Sequence, residues 1–335
     1  MSPASPESSA RWIQPVLGRA DDMRAEVWLR CDLRTPANDS GSAVLAVSGT
    51  LTGPECSTAA TLPTTIALVD QGHVEGQPPL ARGVCTEPGF WTPELPNLYR
   101  ADVVVRSGDG IVSTGRRMVG LRRLGVRGRS LWLDGRRFVP RGIAHEVGEG
   151  PLEALRSLAA VAVVNDSDDT PFDEDLSEAD RIGVGVIIRL EAQPAAPAAI
   201  GRFVDWIDSL AAHPSSLLLI LPRSLTCAAS GILITAAARR RGTMLLGQEV
   251  DGTAPPPPLP VGLDCVIVSL PPGKVPHEAW QRPPGLPVLA SCGTGPRLPA
   301  AAARAECDRL QARLAAWARP ECREQPWDWA GYLVR

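Results

Sequence analysis

The feature that most constrains this chain is a change in hydrophobic pattern at Arg141. From Arg11 to about Val119, short stretches alternate apolar and polar residues and are broken by turn residues, as in Ala25-Val27-Leu29, Ala43-Leu45-Val47, Thr65-Ala67-Val69 and Ala101-Val103-Val105. Successive side chains of a strand point to opposite faces, so this alternation predicts half-buried strands of an antiparallel sandwich. Ser107-Gly108-Asp109-Gly110, between two such runs, predicts a hairpin turn. Beyond Arg141 the pattern becomes apolar runs separated by Ala/Arg/Leu-rich helical stretches, which predicts βα units around a parallel barrel. The candidate strands are Arg141 to Ala144, Val161 to Val164, Val184 to Arg189, Ser216 to Leu221, Met244 to Gly247, Cys265 to Leu270, Pro287 to Ser291, and a last one near Trp327 to Trp329. Eight strands would then close in fewer than the ~250 residues usual for such a barrel. The proline-rich run from Thr253 to Pro260 can only be a loop.

A chain of 335 residues, 44% hydrophobic, can bury one large core or two moderate ones. The expected layout is a flexible N-terminus over 1–10, a sandwich over 11–120, a connector over 121–140 and a barrel over 141–335. The net charge is -3 and the basic residues are almost all arginine, Lys274 being the one lysine, which points to coding bias rather than to a polyanionic partner. Nucleic-acid binding has no support in this composition. The eight cysteines (Cys31, Cys56, Cys85, Cys227, Cys265, Cys292, Cys307, Cys322) form no Cys-x-x-Cys pair and have no histidines at ligand spacing, so neither a metal nor another cofactor is expected. The first ten residues lack a basic start and an apolar segment, and no stretch reaches ~18 uninterrupted apolar residues. A cytoplasmic protein with reduced thiols and no membrane contact is the resulting expectation.

Two stretches carry a family resemblance. Phe90-Trp91-Thr92-Pro93-Glu94-Leu95-Pro96-Asn97-Leu98-Tyr99 resembles a Trp-Ser-Pro-Glu-x-Pro-x-Leu-Tyr strand, and Leu133-Asp134-Gly135 through Arg141-Gly142-Ile143-Ala144-His145-Glu146 resembles a barrel entrance. Both patterns resembled are those of glycoside hydrolase family 2, which contains β-galactosidases, β-glucuronidases and β-mannosidases. Fainter likenesses follow at Asp180 to Ile188, at His213-Pro214-Ser215 to Leu221, and at Leu286 to Ser291. The resemblance implies an immunoglobulin-like β-sandwich followed by a compact (β/α)8 barrel of the TIM type. It also implies an N-terminal jelly-roll domain ahead of the sandwich, which this chain is expected to lack.

Retaining glycoside hydrolysis needs two carboxyl groups ~5 Å apart, one to protonate the leaving oxygen and one to attack the anomeric carbon. Carried over by position, the family acid/base falls on Ser224, the asparagine that holds the sugar 2-hydroxyl on Arg223, and the nucleophile on Cys292. A serine is no acid near neutral pH, and a thiolate without a general acid leaves the glycosidic oxygen unprotonated. The expectation is that the catalytic residues are lost, with Ser224 and Cys292 facing one another across the mouth. The entrance is one residue short of the family pattern, with Ala144 in place of its asparagine, and the second strand runs into Val164-Asn165-Asp166-Ser167 where the family has Arg-x-Ser-His-Tyr-Pro.

Other residues remain candidates, each with a plainer reading beside it. His145 could reach the mouth, or be bonded locally at its strand end. Glu249, Asp251 and Glu146 could be relocated acids, or a solvated rim like Glu191. Asp166-Ser167-Asp168-Asp169 superficially resembles a cation loop but lacks the glycine and terminal glutamate of a calcium loop, and reads better as a helix cap. Trp327 and Trp329 could stack on a pyranose, or lie in the core. Arg239-Arg240-Arg241 reads as the solvated end of a helix. Three functions follow: a degenerate glycosidase relative that binds carbohydrate or protein, an active hydrolase with a relocated acid pair, and a structural subunit whose barrel mouth a partner covers.

Overall fold

The computed structural model describes residues 12–33, 44–72, 77–108, 110–146, 152–166, 173–190, 206–224, 231, 234–235, 243–295, 297–318 and 328–335. The chain divides into two compact units, Met1–Arg122 and Arg123–Arg335. The stretches expected at 1–10, Ala43, Asp109, Ser167 to Asp169, Glu191, Arg239 to Arg241 and Trp327 lie outside the described residues.

The first unit is an antiparallel sheet of seven strands: β1 (Ile13–Ala20), β2 (Arg24–Cys31), β3 (Leu45–Glu55), β4 (Thr64–Asp70), β5 (Leu80–Thr86), β6 (Leu98–Ser107) and β7 (Gly110–Val119), in the order β1-β2-β5-β4-β3-β6-β7. The sheet curls on itself, so that Ala25, Val27 and Leu29 of β2 and Ala81 and Cys85 of β5 share one core with Val47 and Leu51 of β3 and Ala101, Val103 and Val105 of β6. Alternation placed these side chains as expected. In β4, however, Thr65, Ala67 and Val69 are the exposed set, and Leu68 carries the buried face. The Phe90–Tyr99 segment ties the unit together: Trp91 and Tyr99 are fully buried, the Gly89 N–H donates to the Tyr99 hydroxyl at 2.8 Å, and the Asn97 amide donates to the Phe90 carbonyl at 3.0 Å.

The second unit begins with a three-stranded antiparallel sheet of β8 (Leu124–Arg127), β9 (Ser130–Leu133) and β10 (Arg136–Phe138), where a mere connector was expected. Its β9–β10 turn is Asp134-Gly135, both with positive φ, the conformation that a two-residue hairpin turn requires. The barrel follows as β11 (Arg141–Ala144), β12 (Val161–Asp166), β13 (Val186–Leu190), β14 (Ser216–Leu221), β15 (Leu245–Asp251), β16 (Cys265–Leu270), β17 (Val288–Cys292) and β18 (Gly331–Val334). All neighbours are parallel, and β18 pairs with β11 to close the ring. The last strand was expected near Trp327 to Trp329 and instead is Gly-Tyr-Leu-Val, a better β run that starts two residues later than Trp329.

Helices α1 (Glu153–Ser157), α2 (Asp173–Ile182) and α3 (Ala300–Trp317) are among those that pack outside. Helix α3 buries Ala303, Cys307, Leu310 and Leu314, which recur on one helical face. With them in the outer core lie Ile143, Ala162, Val164, Val186, Ile188, Leu219, Leu221, Leu246, Val250, Val266, Val268, Ala290 and Cys292. Strand alternation therefore turns the intervening residues inward, including Val163, Ile187, Leu218, Ile267 and Leu289. The interior is a packed core; a Cβ on Gly247 would run into the Ile267 and Cys265 side chains. Among the described residues no helix is long and apolar enough to cross a membrane.

Candidate functional site

Active sites of such barrels lie at the carboxyl ends of the strands. Several inward positions at that end depart from the apolar interior below them, among them Arg189 of β13, Glu249 and Asp251 of β15, Ser269 of β16, Ser291 of β17, and Arg335 directly after β18. The Glu249 side chain is 4% exposed and lies at the centre. Arg189 donates through Nε to its Oε2 at 2.8 Å, and Arg335 reaches both carboxylate oxygens, Nη2 to Oε1 at 3.1 Å and Nη1 to Oε2 at 3.4 Å. Arg335 Nη2 also donates to Ser269 Oγ at 3.0 Å. Arg223, on the turn after β14, approaches Glu249 Oε1 at 3.5 Å and Asp251 Oδ2 at 3.4 Å.

The electrostatics follow from this geometry. Burial works to raise the Glu249 pKa, but the Arg335 charge and the Arg189 hydrogen bond and charge outweigh it, and the carboxyl titrates below the ordinary range. Asp251 is also held low, chiefly by hydrogen bonds from the Thr253 hydroxyl at 2.7 Å and backbone N–H at 2.8 Å. Burial depresses the Arg335 pKa against the pull of Glu249. Both carboxylates are therefore ionised at neutral pH, the wrong state for a general acid.

The positions singled out by resemblance do not assemble into a pair. Ser224 is exposed on the turn that carries Arg223. Cys292 does not face it across the mouth: the thiol points into the outer layer, with Arg313 of α3 at 3.7 Å and the Gly293 carbonyl at 3.4 Å. The expected facing geometry fails because strand parity turns Ser291, not Cys292, inward. His145 likewise follows inward Ala144 and lies in a small cavity between strand and helix, lined by Leu152, Ala162, Val164, Asp175, Leu176 and Val186. Burial and then the Arg297 charge lower its pKa. The ring therefore lies among outward-facing residues of β12 and β13 and residues of α2. Glu146 is 78% exposed and pairs with Arg297 at 2.6 Å, away from the interior carboxylates.

Trp329 precedes β18, at the amino end of the strand and opposite the mouth. It is buried in the outer core, its ring 6.4 Å from that of Trp317. A sugar-stacking floor at the mouth is thus not what Trp329 forms. His213 and Asp180 also make a buried structural contact, Nδ1 to Oδ2 at 2.7 Å, while Asp180 Oδ1 accepts the Ser215 N–H at 2.8 Å. This pins the turn that leads into β14. Sequence reasoning missed Arg189, Ser269, Ser291 and Arg335. Their signal was a polar residue near the carboxyl end of an otherwise apolar strand, as in Val-Ile-Ile-Arg-Leu and Cys-Val-Ile-Val-Ser-Leu. Among the described residues no group of three or more His, Cys, Asp or Glu side chains is placed to hold a metal ion.

No family model matches the chain, and no curated protein does. Solved structures do. The chain is similar to the Bacteroides uniformis β-glucuronidase, at 15% identity and a TM-score of 0.61 over 96% of this chain and 45% of that one. It is also similar to the glycoside hydrolase family 2 β-galacturonidase from Eisenbergiella tayi bound to galacturonate, at 18% identity and a TM-score of 0.60 over 96% of this chain and 64% of the other. A third is the β-D-glucuronidase of Dictyoglomus thermophilum, at 13% identity and a TM-score of 0.64 over 98% and 62%. The chain has the fold of these glycosidases over nearly its whole described length, and it spans roughly half to two thirds of theirs.

Proposed function

We propose that this protein is a glycosidase-fold binding protein without hydrolytic activity, a pseudo-glycosidase whose barrel mouth serves a carbohydrate or a protein partner. One observation carries the reading: the buried carboxylate of the mouth, Glu249, is clamped by Arg189 and Arg335 with Arg223 beside it, so it holds no proton to give and its oxygens are already engaged. The positions that resemblance assigns to acid and nucleophile, Ser224 and Cys292, carry no carboxyl group, and Cys292 is turned toward α3. A carbohydrate ligand is suggested by the galacturonate bound in the E. tayi relative. Within the same reading, residues 11–120 are an immunoglobulin-like sandwich, supported by the two-pair junction between β4 and β5 that divides the curled sheet into two facing halves. Residues 121–140 are the junction and 141–335 the degenerate barrel. The unpaired thiols of Cys31, Cys56, Cys85, Cys265, Cys292 and Cys307 support a reducing, cytoplasmic setting.

The test is a screen of purified protein against aryl β-galactosides, β-glucuronides and β-mannosides. Hydrolysis is expected to stay at background. It is expected to stay there in the Ser224→Glu/Cys292→Glu double variant, because a carboxylate at 292 would enter the helical layer and misplacement alone costs several kcal/mol of barrier, about 7–11 for full loss of positioning. Turnover by the wild type that disappears in Glu249→Gln or Asp251→Asn would establish instead an enzyme with a relocated acid pair.

A further inference from the structure

The mouth contains donors that the Glu249 clamp does not use. Ser291 is 1% exposed, faces inward between Ala290 and Cys292 of the outer core, and its hydroxyl has no hydrogen-bond partner among the described residues. Its strand, β17, lies between β16, which carries Ser269, and β18, which leads into Arg335. To reach Ser269 Oγ, the Arg335 guanidinium has to cross in front of β17, on the side toward which Ser291 points. The Arg335 Nε is itself buried and without a partner among the described residues. Among the described residues Arg223 makes two long ion contacts, with Glu249 and Asp251, although a guanidinium carries five N–H donors. Arg223 and Arg335 both approach the same oxygen, Glu249 Oε1, so two cations are held within reach of one small anion.

A buried unpaired donor costs about 1–3 kcal/mol, and the two here, Ser291 Oγ and Arg335 Nε, are expected to be satisfied by something, with the solvent-facing guanidinium of Arg223 beside them. They come from β17, from the residue after β18 and from the turn after β14, hence from different sides of the opening. A planar carboxylate takes a fork from one side, as Glu249 already takes that of Arg335. A tetrahedral oxyanion offers oxygens in all these directions. Neither Glu249 nor Asp251 is protonated at neutral pH to donate to it, so their role toward such a ligand is to fix the guanidiniums in place, at the cost of some repulsion.

We infer that the barrel mouth binds a small tetrahedral oxyanion, a phosphate or sulfate group either free or as the ester of a sugar, through Arg223, Arg335 and Ser291. This rests on the reading of the mouth as a non-hydrolytic binding site and names the chemical class that it takes.

Titration calorimetry of the full chain at constant ionic strength tests the inference, with inorganic phosphate and sulfate as probes, glucose 6-phosphate as the ester, and chloride as control. Saturable binding of phosphate or sulfate is expected where chloride gives none. Arg223→Gln is expected to weaken it at least ten-fold and Ser291→Ala several-fold, while Arg137→Gln, on β10, leaves it unchanged. Tighter binding of the ester than of free phosphate would assign the sugar-borne source, and equal or weaker binding the free ion. Heats that chloride reproduces, or affinities untouched by both mouth variants, would mean that water satisfies these donors and would overturn the inference. Arg223 is exposed and Ser291→Ala removes one atom, so both variants are expected to fold, and melting curves check that. No glycoside enters the titration, so a failure here leaves the hydrolysis screen to judge the broader reading by itself.

Discussion

The two units of this chain differ in how much a strand discloses about itself. In β2 of the first unit the burial pattern alternates strictly, with Ala25, Val27, Leu29 and Cys31 inside and the residues between them reaching solvent or partly so. In β14 and β16 of the barrel every residue is buried, because one face packs on the interior and the other on helices. An alternating strand thus announces its inner face, whereas an all-apolar barrel strand conceals it. A one-residue error in parity then sends a predicted catalytic side chain to the wrong side of the wall.

Cys292 shows the consequence. The resemblance placed a nucleophile at this position, and nothing in Val-Leu-Ala-Ser-Cys told that Ser291 takes the inward place. The order of the barrel strands was legible from apolar runs and their spacing, down to within a few residues for seven of the eight. The eighth was misplaced because Trp327-Asp328-Trp329 matched a motif, while Gly331–Val334 matched only a physical pattern. The candidate site was half legible. Glu249, Asp251 and Arg223 were marked, but the clamp was not, since Arg189 and Arg335 are more than a hundred residues apart and only barrel closure brings them to one carboxylate.

The largest expected effect in the barrel is that of Glu249→Ala. Removing one partner of a buried ion pair costs about 3–5 kcal/mol, and the lower end is expected here because the Arg189 and Arg335 side chains are 25% and 21% exposed. Urea unfolding of the variant measures this, and an unchanged midpoint would remove the clamp from the account. Next come truncations that separate the two kinds of strand. Leu218→Ala and Leu219→Ala, adjacent and on opposite faces of β14, should each cost about 2–5 kcal/mol. In β4 the same experiment should split: Leu68→Ala costs a comparable amount, while Val69→Ala, at a site 59% exposed, stays within about 0.5 kcal/mol. An inert Leu218 or Leu219 truncation would break the comparison, since one face of the barrel strand would then be dispensable.

A smaller effect is expected from acid. The folded pKa of Glu249 lies below its unfolded value of about 4.3, so its contribution is complete above that pH and is lost as pH falls through the folded pKa. Stability of the wild type should therefore fall more steeply below about pH 4.3 than that of Glu249→Gln, a difference that denaturant titrations at stepped pH would resolve. Smallest is the reactivity of Cys292. Its thiol, buried against α3, should be alkylated in the native protein far more slowly than that of the partly exposed Cys56, and equal rates by mass spectrometry would place it in an open mouth.

The central claim is that the carboxylate at the heart of the mouth is a structural anion, ionised at neutral pH, rather than an acid. NMR titration of carboxyl-labelled glutamate, with Glu249 assigned by its Gln variant, measures this directly. The expected pKa lies below that of an ordinary glutamate, so that the resonance moves only at a lower pH than that of an exposed glutamate. A value raised toward about 6–7, the range of a working general acid, would contradict it.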